Sequence, residues 1–377
     1  SKSPFIQTEW TTKERPAAPI DSALDDLPDE RASSNASADV VVDQGLITTI
    51  LDADDATPTP AAHQTVDCAG LVLAPGFIDV HTHDDALMLE KALLHKAHPK
   101  LSQGVTTVVI GNCGVTFAPC KPNDRQFLAE MMESVEDIPA HSIMNGLPWD
   151  WVTYGEYLGS LDRMPKGINV GGMVGHCAVR YYVMGDRSAD QVDATPEEIA
   201  SMCELVEEAI RAGALGFSTS RTFNHTTADD RPVASRLARW DEVRAIVNAM
   251  GTTGKGVFEI AGEAPGRDPD RQREYFNRLR DLAVESGVTQ TWGMFSVRAA
   301  PELWRPFFDL LDETAAAGGR MYAQVHTRAL NVMLSFEANT PFDKWDVWKD
   351  LRALPLDVMA GTPRIGETAA AALFGGW

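Results

Sequence analysis

The spacing of apolar residues along this chain switches repeatedly between two periods. Short β-branched and aromatic runs, set off by glycine and proline, fall at Phe77–His83, Val105–Asn112, Ile168–His176, Ala214–Ser220, Val257–Ala261, Val288–Phe295 and Met321–Thr327. Each run predicts a strand. Between them, apolar residues recurring every three or four positions predict helices. The best defined starts at Thr195-Pro196-Glu197-Glu198, which offers an N-cap, proline at the first helical position and the acid of a capping box. Ile199, Met202, Leu205, Val206, Ala209 and Ile210 form its apolar face, and Gly213 ends it. Such alternation predicts βα units around a parallel sheet.

Outside the alternating part the pattern loosens. Residues 1 to about 37 are rich in Pro, Ala, Ser and Asp and predict an irregular arm. Ala38–Ile50 alternates like a hairpin turning at Gln44-Gly45, and Gln64–Asp67 reads as a further short strand. An insertion at about residues 115–167, between the second and third strands of the alternating part, carries Trp149, Trp151, Tyr154 and Tyr157. It suits a lid over a pocket and plain packing equally. After Thr327, Phe342–Leu351 reads as helix, and the tail to Trp377 has no β-branched run.

Composition narrows the partners. With 377 residues and 44% hydrophobic content, the chain can bury one large core, or a core with a small companion. The net charge of -21 argues against nucleic acid and anionic membranes as partners. No apolar run is long enough to span a bilayer and no signal-peptide pattern opens the chain. Five cysteines without a Cys-x-x-Cys pair do not form a disulfide framework, so a reducing cytoplasm is the expected compartment. Nothing in the sequence fixes an oligomeric state.

The chemistry collects at strand ends. His81 and His83 are two residues apart after Phe77-Ile78-Asp79-Val80, so they point to one side and can reach one divalent ion. Cys113 follows the next strand, in Gly111-Asn112-Cys113-Gly114. A thiolate there is a soft donor that suits zinc over magnesium.

The stretch Leu71–Asp85, LVLAPGFIDVHTHDD, resembles the first barrel strand of the amidohydrolase superfamily. GVTTVVIGNCG (Gly104–Gly114), PWDWVTYGEYL (Pro148–Leu158), INVGGMVGHCAVR (Ile168–Arg180) and GALGFSTS (Gly213–Ser220) are similar to the N-acyl-D-amino-acid deacylases, or D-aminoacylases, within it. The resemblance implies an α/β fold, a (β/α)8 TIM-type barrel with a small β-sandwich flank. It divides the chain into an arm and part of that sandwich at residues 1–72 and a barrel at 73–377. It also implies that His81, His83 and Cys113 bind metal at the C-terminal mouth, Cys113 standing where related enzymes use a carboxylated lysine. One zinc ion is expected, two being the alternative. The implied activity is metal-dependent hydrolysis of the amide of an N-acyl (D-)amino acid, a small-molecule substrate.

The sequence also departs from that pattern. The family carries a histidine at the end of the fifth strand and another at the end of the sixth, where this chain has Ala261 and Gly293. A metal-binding, proton-shuttling aspartate on strand eight has no counterpart either. With seven strand candidates and no eighth, the barrel is expected to lack its last strand as given, and a further C-terminal segment is expected. The catalytic acid or base stays unidentified. His176, Arg180, Arg221 and His326 follow or end strands and are the candidate substrate-binding residues, with Arg328 a further cation for a substrate carboxylate. His225 and Glu259 are the other polar residues near strand ends. Two rival readings remain: an amidohydrolase of cyclic amides or lactones, and a catalytically silent barrel kept for binding.

Overall fold

The computed structural model describes residues 38–52, 58, 60–89, 98–136, 138–227, 231–263, 268–294, 301–326, 348–349 and 352–355. The chain divides into two compact units, residues 1–77 with 99–106 and residues 78–98 with 107–377.

In the first unit, β1 (Ala38–Asp43) pairs antiparallel with β2 (Leu46–Asp52), Val40 opposite Ile50. The turn is Gln44-Gly45, with φ of 49° and 81°. Both central residues are left-handed because that turn matches the twist of the two strands. The predicted hairpin is present. Gln64–Asp67, expected as a strand, is not one. A strand needs a ladder partner, and these exposed residues have none among the described ones. Asp67 instead accepts the Ala69 N–H at 2.9 Å, and the Leu71 N–H reaches Cys68 O at 2.9 Å, which turns the chain.

All seven predicted strands of the alternating part form one sheet. It runs β3 (Phe77–Asp79), β4 (Val105–Ile110), β5 (Asn169–Gly175), β6 (Gly216–Ser220), β7 (Val257–Ala261), β8 (Thr289–Gly293) and β9 (Met321–Gln324), in chain order. From β4 to β9 the neighbours are parallel, with Val108↔Val170, Val174↔Phe217, Phe217↔Phe258, Phe258↔Gln290 and Trp292↔Ala323 in register. A parallel sheet in chain order is the wall of a (β/α) barrel. It curls: Gln324, the last residue of β9, lies 2.8 Å from His81, two residues past β3. The expectations for an eighth strand and for Arg328 fall outside the described residues, and so does the helix expected at Phe342–Leu351 except for Trp348 and Lys349, which are helical.

The helices in order are α1 (Asp85–Leu89), α2 (His98–Leu101), α3 (Arg125–Glu136), α4 (Ala140–Gly146), α5 (Tyr154–Arg163), α6 (His176–Met184), α7 (Pro196–Ala212), α8 (Ala234–Leu237), α9 (Trp240–Thr252), α10 (Pro269–Ser286) and α11 (Arg305–Ala316). The predicted α7 forms as read. Thr195 and Glu198 close a capping box, Gly213 ends the helix at φ 118°, and Met202, Val206, Ala209 and Ile210 are buried. That face packs on α9, which presents Val243, Ile246, Val247 and Met250.

The insertion forms α3, α4 and α5, and its aromatic residues are core. Trp149, Trp151, Tyr154 and Tyr157 are all buried, with Phe117 joining them through edge contact to Trp149. Packing, not a lid, is their role. No helix among the described residues is long and apolar enough to cross a membrane.

Candidate metal centre

The site grows from the turn after β4. Gly111, Cys113 and Gly114 have φ of 74°, 57° and 76°. A Cβ on Gly111 would sit 2.2 Å from the Met173 carbonyl oxygen, so both the conformation and the space demand glycine there. Cys113 has a side chain in the same left-handed region, at a cost of about 1–3 kcal/mol. Several groups hold it there. The Asn112 amide donates to Val109 O at 2.8 Å and Thr82 O at 3.3 Å. The Ser218 hydroxyl donates to Gly111 O at 2.5 Å and accepts the Gly114 N–H at 2.9 Å. Asp85 accepts the Gly111 N–H at 3.3 Å, and Glu259 Oε2 accepts the Cys113 N–H at 2.7 Å.

Facing this turn are His81 and His83, their rings edge to face with centroids 5.4 Å apart. One ligand atom from each of His81, His83 and Cys113 lies within 4.8 Å of the others. Among the described residues they are the one cluster of this kind. His81 Nε2 is 3.3 Å from Cys113 Sγ, close to the separation of about 3.6 Å that zinc bonds of ordinary length impose on two tetrahedral ligands. His81 Nδ1 donates to Gln324 Oε1 at 2.8 Å, which leaves the Nε2 lone pair turned toward Cys113.

Burial sets the electrostatics. Desolvation lowers the His81 pKa, opposed by its bond to Gln324. His225, which follows β6 and meets the Ser220 hydroxyl at 2.8 Å, is pushed down to about 4 by burial, then by Arg236 and His81. Glu259 is wholly buried and its carboxyl is pushed up to about 8 by desolvation, against the Cys113 N–H that favours its charge. Arg236 donates to His225 O at 2.8 Å and has no carboxylate within ion-pair distance among the described residues.

The structure brings His81, His83 and Cys113 together and places the other expected residues elsewhere or at the margin. His176 does not end a strand. β5 stops at Gly175, and His176 opens α6 with its ring sealed between Thr219 Oγ1 at 2.8 Å and Glu242 Oε1 at 2.9 Å. Arg180, fully buried, spends its donors on Glu242 at 3.0 Å, Ser188 O at 2.8 Å and Val192 O at 2.9 Å. Arg221 is paired with Glu263 at 3.2 Å, and that carboxylate also takes Arg278 at 2.7 Å. His326 is exposed two residues past β9, where its charge reaches His81. Ala261 and Gly293 close β7 and β8 without a ligating atom.

Sequence reasoning missed Ser218, Asn112 and Gln324. Ser218 shares the face of Ser220, and Gln324 that of His326, so the period of two held the signal.

A family model described as the amidohydrolase family matches residues 64–341, well over half of the chain. The D-aminoacylase of Alcaligenes xylosoxydans xylosoxydans is 42% identical over 182 residues, covering 48% of this chain and 33% of that protein. The N-acyl-D-aspartate deacylase of the same organism is 39% identical over 165 residues, covering 43% of this chain and 29% of that protein. A crystal structure of a D-aminoacylase aligns at 25% identity with a TM-score of 0.48, over 67% of this chain and 48% of its own. The matched segments thus span about a third of the length of these curated relatives. The family match and the strand-end histidines and cysteine fall on the same residues: this chain belongs to the amidohydrolase family.

Proposed function

We propose that this chain forms the zinc-binding part of a hydrolase that cleaves the amide bond of N-acyl-D-amino acids. The convergence of His81, His83 and Cys113 on one point carries the reading. Two imidazoles and a thiolate fit zinc in donor type and spacing, and three protein ligands leave a fourth position for water or substrate. Zinc bound there supplies a Lewis acid for the amide carbonyl and lowers the pKa of a bound water.

The chain's own residues do the positioning. Gln324 holds the His81 tautomer, while Ser218 and Asn112 keep Cys113 in its turn. Arg236, which feels the field of Arg221 and donates to His225 O, offers a cation for the substrate carboxylate. The names of the relatives support N-acyl-D-amino acids as the class. Ala261 and Gly293, standing where the family pattern has histidines, favour a second reading: a barrel that binds its ligand without turning it over.

An assay of zinc-loaded protein on paired N-acetyl-D- and N-acetyl-L-amino acids tests the proposal. Hydrolysis of the D series in preference to the L series is expected. Equal rates for both enantiomers, or no amide cleavage with metal bound, count against it.

A further inference from the structure

The strand β7 reads Val257-Phe258-Glu259-Ile260-Ala261, an acid inside an apolar run. Phe258 and Ile260 are fully buried, and so is Glu259 between them, on the face it shares with Ala261. A carboxylate so placed has lost its water and needs its hydrogen bonds replaced. One oxygen has a replacement, the Cys113 N–H at 2.7 Å. The other, Oε1, has no hydrogen-bond partner and stands 3.8 Å from His81 Nδ1. Among the described residues, no lysine or arginine lies within ion-pair distance of it. The orphaned oxygen therefore sits beside one expected zinc ligand, and its mate holds the backbone of another.

We propose that Glu259 is the positioning and charge-balancing residue of the metal centre, fixing Cys113 through Oε2 and setting a negative charge against His81 through Oε1. The inference rests on the metal reading of His81, His83 and Cys113. With Cys113 as thiolate and two neutral imidazoles, the three ligands leave one positive charge of a divalent ion uncompensated, in a site where Cys113 is buried and the histidines are half-buried. The Glu259 carboxylate cancels it. A divalent ion in turn supplies what the buried carboxylate lacks, so each makes the other's burial less costly.

Glu259→Gln separates this role from a merely structural one, because glutamine keeps an acceptor for the Cys113 N–H and loses only the charge. Zinc affinity of the purified full chain is measured by competition with a chromophoric chelator, and cobalt substitution reports the thiolate–metal absorption. Circular dichroism and thermal melting verify the fold. Zinc binding weakened about 10- to 100-fold, with a shifted cobalt spectrum in a folded protein, is expected. Wild-type affinity and spectrum in folded Glu259→Gln overturn the proposal and leave the zinc site standing. Should that variant fail to fold, the zinc-minus-apo infrared difference spectrum of the wild-type chain is read instead. Carboxylate bands are expected, and their absence overturns the proposal. Glu259-dependent zinc binding without amide hydrolysis refutes only the proposed activity, whereas a wild-type chain that takes up no zinc refutes both.

Discussion

Cys113 sits in a backbone conformation that suits glycine, with φ 57°, and four neighbouring groups hold it there. Left-handed non-glycine residues persist only where the surroundings over-determine them, and they gather at functional sites. Cys113→Ser should therefore lower the zinc content of the purified protein, as read by elemental analysis. Cys203→Ser should not: that thiol lies half-buried in α7, where burial pushes it up to about 11, and it serves packing. Equal zinc in both variants would remove Cys113 from the site. His225 makes a prediction in pH. Its folded pKa of about 4 lies below the unfolded value of about 6.5, so the unfolded chain takes up the proton first on acidification. The stability this contributes is whole above about pH 6.5 and is lost as pH falls toward about 4. The urea midpoint of wild-type protein should drop through this window more steeply than that of His225→Asn. Parallel curves would show that His225 is not held neutral.

At the scale of elements, the same burial that removes His176 and Arg180 from the mouth makes them a clamp. Glu242 on α9 takes both, tying α6 to α9 through a buried cluster. Arg180→Met leaves a buried carboxylate short of its partner, and should cost about 3–5 kcal/mol in chemical denaturation. Zinc bound per folded chain should not change. An unchanged stability would mean that the cluster carries no structural weight. What could be read from sequence follows the range of the interaction. Helix α7 was legible because Thr195, Pro196, Glu198 and Gly213 act within a turn of their own positions. His81 and His83 were legible because one strand's alternation brings them together. Glu259 was visible only as an acid in an apolar strand, since the N–H it binds is 146 residues away. His176 was placed at a strand end, whereas its ring is fixed by Thr219 and Glu242, residues 43 and 66 positions off. Position relative to a strand end does not tell a mouth residue from one turned into the helix layer.

For the molecule as a whole, seven strands in chain order give a curled parallel sheet whose C-terminal ends collect His81, His83, Cys113 and Gln324. Strand count and order were legible because each βα unit repeats one pattern, and the resemblance tied that pattern to a barrel. The small flank was less so: the hairpin at Gln44-Gly45 announces itself by its turn, while Gln64–Asp67 could become a strand only with a partner. The proposed function needs one zinc ion held by His81, His83 and Cys113 for hydrolysis of an N-acyl-D-amino acid. The most direct measurement strips metal from the purified chain with a chelator, then follows hydrolysis of N-acetyl-D-amino acids as zinc is titrated back. Activity that is absent in the stripped protein, rises with added zinc and levels off at about one ion per chain is the predicted result. Hydrolysis indifferent to chelation, or a chain that binds zinc at no stoichiometric level, would contradict it.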